Sequence, residues 1–230
     1  TRKESSAASD VYKRQDNKKI NLINIDYKCE KKINSQYSKI YIKKCFEMAF
    51  KILKTGFTKK FINGPINKNE FLDRKFLGMT EYISRRFNNK NYGMLIYNEK
   101  LSVCPITTHL PLKLVSKKIT KKLINEKVLL INDFYKKTIG FVPKIGVTGL
   151  NPHCESIHRF NEDNKIISPA IKILKKSGIK VFGPFAADTI FLKKNREKYN
   201  VILGMYHDQV LTPIKTLFEY DAINITMGLP

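Results

Sequence analysis

An α/β fold with a largely parallel sheet is what the sequence predicts, and three observations predict it. Amphipathic stripes at helical spacing alternate with short apolar runs over most of the 230 residues. The apolar runs are brief and bounded by Gly, Pro or Asn, as buried strands are. No run approaches the length of a bilayer span, so no membrane partner is expected. Helices regularly interleaved with strands imply crossover connections and parallel neighbours.

The elements follow in chain order. Tyr41, Cys45, Met48 and Ile52 mark one face of a helix, with Ser38 as its N-cap and Gly56 as its stop. Lys60-Phe61-Ile62 reads as a short strand entering a turn at Asn63-Gly64-Pro65. Tyr92 to Tyr97 and Leu101 to Pro105 read as strands of a hairpin joined by Asn98-Glu99-Lys100. Ile124, Val128, Ile131 and Tyr135 mark a second helix ending near Gly140, and Lys144 to Thr148 a buried strand. Ile166, Ala170, Ile173 and Leu174 mark a third helix closed by Gly178, where Pro169 is tolerable only in the first turn. Ile179 to Phe182, Val201 to Leu203 and Ala222 to Thr226 read as further strands.

Composition narrows the function classes. The net charge of +23 raises a nucleic-acid reading. The excess is mostly Lys, travels with abundant Ile and Asn, and recurs as scattered pairs such as Lys43-Lys44, Lys121-Lys122 and Lys193-Lys194. It forms no single stripe, so it is read as the signature of an AT-rich coding sequence and no nucleic-acid partner is expected. Cys29, Cys45, Cys104 and Cys154 form no CxxC pair, which argues against a zinc ribbon and for reduced thiols in a cytoplasmic protein. Ser5 to Gln15 reads, codon by codon, as a translated sequencing-library adaptor, so residues 1–15 are expected to be foreign to the fold. Residues 16–230 are then a partial chain of two interleaved lobes, expected to be cut at both ends.

The residues able to carry chemistry are few. Of four histidines, His109, His153 and His207 follow strand-like runs, in Thr107-Thr108-His109-Leu110-Pro111, Gly149-Leu150-Asn151-Pro152-His153 and Met205-Tyr206-His207-Asp208-Gln209. Ligands of open α/β sheets gather at the carboxyl ends of strands. Three imidazoles there would hold one divalent metal with a position left open. Taken singly, each reads more readily as a polar loop residue, and the long spacing lacks the local geometry of HExxH. Asp208 reads as a partner of its neighbour or as a substrate contact. Asp188, after a strand and before a helix-like stretch, reads equally as an N-cap or a site residue. Lys215 lies in the apolar stretch Leu211 to Phe218 and reads as a phosphate contact or as surface. There is no GxGxxG and no Walker loop.

Taken together, and in order, Asn63-Gly64-Pro65-Ile66-Asn67-Lys68, Gly78-Met79-Thr80-Glu81, the three histidine segments, Gly183-Pro184 to Ala187-Asp188-Thr189, and Asn224-Ile225-Thr226-Met227-Gly228-Leu229-Pro230 closely resemble the 4-hydroxythreonine-4-phosphate dehydrogenase family. The resemblance runs from about residue 16 to the end. It implies the two-domain α/β/α architecture of the isocitrate and isopropylmalate dehydrogenases. It implies a metal triad of His109, His153 and His207 in a site shared across a homodimer, the His207-type ligand coming from the other subunit. Thr80, Lys215 and Asn224 become substrate contacts, and Asp188 and Asp208 acidic residues near the reacting centre. The implied reaction is NAD- or NADP-linked oxidation of 4-phosphohydroxy-L-threonine, with decarboxylation to 3-amino-2-oxopropyl phosphate, in pyridoxal 5'-phosphate synthesis. One divalent metal (Zn, Mg, Mn or Co) acts as Lewis acid. Two departures stand out. Met79 occupies a position where many members have a phosphate-holding His, and a thioether is only a weak acceptor. Cys154 to Phe160 replaces a Gly-rich run, which leaves His158 or Arg159 to supply charge there. The departure at Met79 keeps open a paralogue that oxidises 4-phospho-threonate or 4-phospho-erythronate.

Overall fold

The computed structural model describes residues 22–26, 35–72, 75–76, 78–89, 91–155 and 160–229. Residues 1–15, Cys29, His158 and Arg159 lie outside the described residues. The described residues divide into two compact units, one ending at Phe76 and one spanning Gly78–Leu229.

The first unit is organised by helix α1, Ser35–Lys54. The helix starts earlier than its periodicity suggests, so Ser38 lies inside it instead of capping it. Gly56 follows with φ of 75°, the left-handed conformation that ends a helix at low cost. Phe46 and Phe50 are the buried positions, whereas Tyr41, Cys45, Met48 and Ile52 are only half-buried. The core face is thus turned by about one residue, or ~100°. Aromatic packing selects it: the Phe46 ring stacks on Phe71 at 5.2 Å and meets Phe61 edge-on at 5.6 Å. Lys60 to Ile62 forms no strand, contrary to its pattern. Ile62 is 94% exposed, and the segment has no ladder partner among the described residues. A three-residue run without one gains nothing from being extended.

The second unit is a six-stranded sheet in the order β4-β3-β5-β2-β1-β6. Its strands are β1 (Gly93–Tyr97), β2 (Ser102–Thr107), β3 (Ile145–Thr148), β4 (Val181–Phe185), β5 (Val201–Tyr206) and β6 (Ile223–Met227). The pairs β4-β3, β3-β5 and β5-β2 are parallel, while β2-β1 and β1-β6 are antiparallel. The expected hairpin is present, with Ile96 opposite Val103.

Helices cover both faces. On one lie α3 (Lys121–Phe134) and α4 (Ser168–Lys176); on the other lies α5 (His207–Phe218), while α2 (Met79–Arg86) precedes β1. Ile124, Val128 and Ile131 of α3 and Ala170, Ile171 and Leu174 of α4 share a core with Leu95, Cys104, Ile106, Val201, Leu203 and Met205. Val210 and Ile214 of α5 pack instead with Met94, Ile96, Val103 and Ile202. Successive strand residues therefore serve opposite cores, which is why these strands are apolar without alternation. Gly204 lets α5 approach, since a Cβ there would meet Val210 Cγ1 at 2.3 Å.

Local signals explain most boundaries. The Thr120 hydroxyl accepts a hydrogen bond from the Leu123 N–H and caps α3, whose wider last turn closes at the left-handed Gly140. Pro169 falls in the first turn of α4, where it was expected to be tolerated. β4 begins two residues later than its pattern suggests, and β5 runs on to Tyr206. Helix α5 was hidden in the sequence by Pro213, which it accommodates in its interior.

Leu203 is fully buried at the centre of β5. Leu203→Ala is expected to destabilise the second unit by about 2–5 kcal/mol, read from the shift of its urea denaturation midpoint.

Candidate functional site

Four strands of the second unit, β4, β3, β5 and β2, run in one direction, so their carboxyl ends form one edge. The segments leaving that edge carry, in the order of the strands, Asp188, His153, His207 and His109. Residues far apart in the chain are thereby gathered at the place where α/β sheets bind ligands.

His109 and His207 leave adjacent strands. Thr107 pairs with Tyr206, and the Thr107 hydroxyl donates to the Met205 carbonyl at 2.8 Å, locking the two strand ends together. The imidazole centroids lie 6.1 Å apart at an interplanar angle of 36°. Both rings are held through Nδ1 by a carboxylate: His109 by Glu81 Oε1 at 3.2 Å and His207 by Asp208 Oδ1 at 2.7 Å. A carboxylate only accepts, so each Nδ1 is the donor, which in the neutral form of the ring leaves the lone pair on Nε2. That is the state in which histidine ligates a metal. With Zn–N of about 2.0–2.1 Å, two ligated rings have centroids about 5–6 Å apart, so this pair suits one divalent ion with little adjustment. His207 lies beside His109 within one chain.

His153 sits on the loop after β3. It and Cys154 have φ of 55° and 62°, two consecutive non-glycine residues in left-handed conformation. Such residues cost of order 1–3 kcal/mol each and persist where surroundings dictate them. The buried Asp163 anchors the start of this loop, accepting from the Leu150 N–H at 2.7 Å, the Asn151 N–H at 3.1 Å and the Asn151 side-chain amide at 2.8 Å. Burial pushes the Cys154 thiol up, and Asp163 and Asp188 push in the same direction, so this thiol stays protonated beside His153 at neutral pH. His153 is exposed, and among the described residues no three His, Cys, Asp or Glu side chains converge to hold a metal.

The remaining candidates divide. Asp188 lies in the one-turn helix Ala187–Ile190, whose N-cap is Ala186, so it is no cap, and it is exposed. Thr80 is buried in α2, and its hydroxyl lies 3.2 Å from that of Thr226 on β6. Asn224 is exposed two residues earlier on the same face of that strand, opposite Ile96. Thr80 and Asn224 are thus brought to one strand, and Met79 is half-buried next to Thr80. Lys215 stands apart: two turns along α5 from His207, a rise of about 12 Å, it lays its ammonium 5.5 Å over the Tyr220 ring.

Glu81 and Gln209 lay inside quoted motifs without a role. Gln209 is buried, accepts from the Met205 N–H at 2.7 Å and the Thr148 hydroxyl at 2.8 Å, and donates to the Gly149 carbonyl at 2.8 Å. It bolts the end of β5 to the end of β3, beneath both histidine loops. A glutamine directly after a strand-ending His-Asp pair was the available signal; the three partners were not readable.

The sequence profile of the pyridoxal phosphate biosynthetic protein PdxA family matches residues 2–230. The chain is 38% identical over 218 residues to a 4-hydroxythreonine-4-phosphate dehydrogenase of Sulfurihydrogenibium sp. (strain YO3AOP1), covering 92% of this chain and 66% of that protein. It is 34% identical over 191 residues to a D-threonate 4-phosphate dehydrogenase of Pectobacterium atrosepticum, covering 81% and 58%. A crystal structure of 4-hydroxythreonine-4-phosphate dehydrogenase from Klebsiella pneumoniae superposes with a TM-score of 0.74 at 29% identity, covering 86% of this chain and 62% of that one. The α/β dehydrogenase fold expected from the resemblance is thus borne out. The chain spans less than two thirds of the length of these relatives.

Asp163→Ala leaves the partly buried N–H groups of Leu150 and Asn151 without their acceptor. At about 1–3 kcal/mol for each unsatisfied group, the variant is expected to lose at least ~2 kcal/mol of stability in urea denaturation, with Asp163→Asn losing less.

Proposed function

The chain belongs to the PdxA family, and on that premise we propose that it works as a nicotinamide-linked, divalent-metal-dependent dehydrogenase. The substrate proposed is 4-phosphohydroxy-L-threonine, oxidised and decarboxylated to 3-amino-2-oxopropyl phosphate in the cytoplasmic synthesis of pyridoxal 5'-phosphate. The observation that carries the reading is the pair of imidazoles at the carboxyl edge, His109 and His207, each tethered through Nδ1 with Nε2 left free.

When bound, a divalent metal and a nicotinamide supply Lewis acidity and a hydride acceptor for oxidation of a secondary alcohol. The protein's own residues supply position and charge. His109, His153 and His207 hold the metal in a site shared across a homodimer. Asp208 keeps the His207 ring in its ligating tautomer. Thr80 and Asn224 offer a hydroxyl and an amide to the substrate. Lys215 neutralises the substrate phosphate after leaving the Tyr220 ring, and Asp188 supplies an acidic group near the reacting centre. NAD is the proposed acceptor, with NADP as the alternative.

A second reading has an observation of its own. The D-threonate 4-phosphate dehydrogenase relative is nearly as similar as the first, and Met79 removes a hydrogen-bonding side chain from the segment that precedes Thr80. That reading makes the substrate a phosphorylated sugar acid without an amino group.

His109→Ala is expected to abolish metal-dependent NADH formation and to lower bound metal by elemental analysis; full activity in that variant refutes the proposed centre. With the unmodified protein, kcat/KM for 4-phosphohydroxy-L-threonine is expected to exceed that for 4-phospho-D-threonate at least tenfold. The reverse order transfers the assignment to the second reading.

A further inference from the structure

Glu81 is drawn towards His109 by more than chance contact. Its Oε1 receives two donors from the segment after β2, the Thr108 hydroxyl and His109 Nδ1, both at 3.2 Å. Its Oε2 is buried and has no hydrogen-bond partner among the described residues. Leaving a carboxylate oxygen buried and unpaired is costly, so stability alone is a poor reason for a glutamate here. Glutamate in the first turn of α2 is favoured by the helix dipole, but that effect is satisfied by an exposed side chain and does not require the His109 contact.

The backbone is shaped around the same pair. Gly78, immediately before α2, has extended dihedrals that any residue adopts, φ −161° and ψ 173°. A Cβ at this position would nevertheless lie 2.7 Å from Glu81 Oε2 and 2.7 Å from His109 Cε1. A side chain at position 78 would thus have to displace the Glu81–His109 pair, while the backbone conformation itself is open to any residue. The arrangement repeats on the facing ring, where Asp208 holds His207 through the same nitrogen.

We infer that Glu81 is a positioning residue for His109: by accepting from Nδ1 it fixes the ring's tautomer and orientation and leaves Nε2 for a metal, with Gly78 keeping the space clear. The inference rests on the proposed metal reading of His109. A carboxylate on the far nitrogen of a ligating histidine raises its basicity, and its loss costs roughly 10–100-fold in metal affinity.

The test uses zinc alone, by competition with a chromophoric chelator, together with the 15N chemical shifts of the His109 ring in the metal-free protein. Glu81→Ala is expected to weaken zinc roughly 10–100-fold and to move the His109 proton from Nδ1 to Nε2. Glu81→Gln keeps an acceptor oxygen and is expected to retain the Nδ1–H tautomer and recover most of the affinity, which a purely structural role would not produce. Gly78→Ala, with Glu81 still present, is expected to reproduce the zinc defect of Glu81→Ala. His109→Ala separates the two levels of the argument. If His109→Ala weakens zinc but Glu81→Ala and Gly78→Ala bind it as the unmodified protein does, the inference about Glu81 is overturned and the metal reading stands. If His109→Ala leaves zinc affinity unchanged, the metal reading falls and the inference with it. Should Glu81→Ala not fold, the Glu81→Gln and Gly78→Ala pair decides: retained affinity in both overturns the inference.

Discussion

The parallel pairing of β2 with β5, with Thr107 opposite Tyr206, is the constraint on which the candidate site depends. Adjacent strands lie about 4.8 Å apart, and residues just beyond paired positions inherit roughly that separation. His207 directly follows Tyr206, and His109 comes two residues after Thr107, so their rings meet at 6.1 Å although they are 98 positions apart in the chain. A slip of one residue along this ladder would exchange the two faces of β5, sending Leu203 and Met205 to the wrong core. The same buried side chains that hold the sheet thus hold the histidines in register.

Beneath the edge, the apolar core gives way to a small set of satisfied polar groups. Thr107 ties β2 to β5, Gln209 ties β5 to β3, and Asp163 ties the β3 loop to the start of the helical segment leading into α4. Each is buried, and each spends its bonds on backbone that would otherwise end a strand unpaired. Buried polar networks of this kind are rigid when complete. Metal and substrate sites need such rigidity, because a displacement of even 1 Å is enough to spoil their geometry. The exposed side chains His109, His153 and Asp208 stand on this frame without contributing to it.

The basic surface has a different status. The ion pair of Lys122 with Glu126 at 3.9 Å is a solvent-exposed pair one helical turn apart, of a kind worth little. Several cations rest on aromatic faces instead, Lys127 over Tyr92, Lys175 over Phe182 and Lys215 over Tyr220. They lie on separate elements.

Local chemistry made much of this protein legible from its sequence. The α/β class, the hairpin of β1 and β2, the Thr120-to-Gly140 helix and the buried β3 follow from periodicity, turn residues and caps, which act over a few residues. The ordered motifs pointed to the family and to the three histidines as a set. Other features were decided only by tertiary structure, because they depend on what lies across space. The burial of Phe46 in place of Cys45 required Phe61 and Phe71, and the loss of the Lys60-to-Ile62 strand followed from the lack of a ladder partner. Helix α5 tolerates Pro213 because Val210 and Ile214 dock on the sheet. The partnership of Glu81 with His109, and the space that Gly78 keeps for it, joins residues 28 positions apart. Sequence periodicity records which side of a strand or helix faces inward; which residues then meet is set by strand order and register, and these are properties of the assembled sheet.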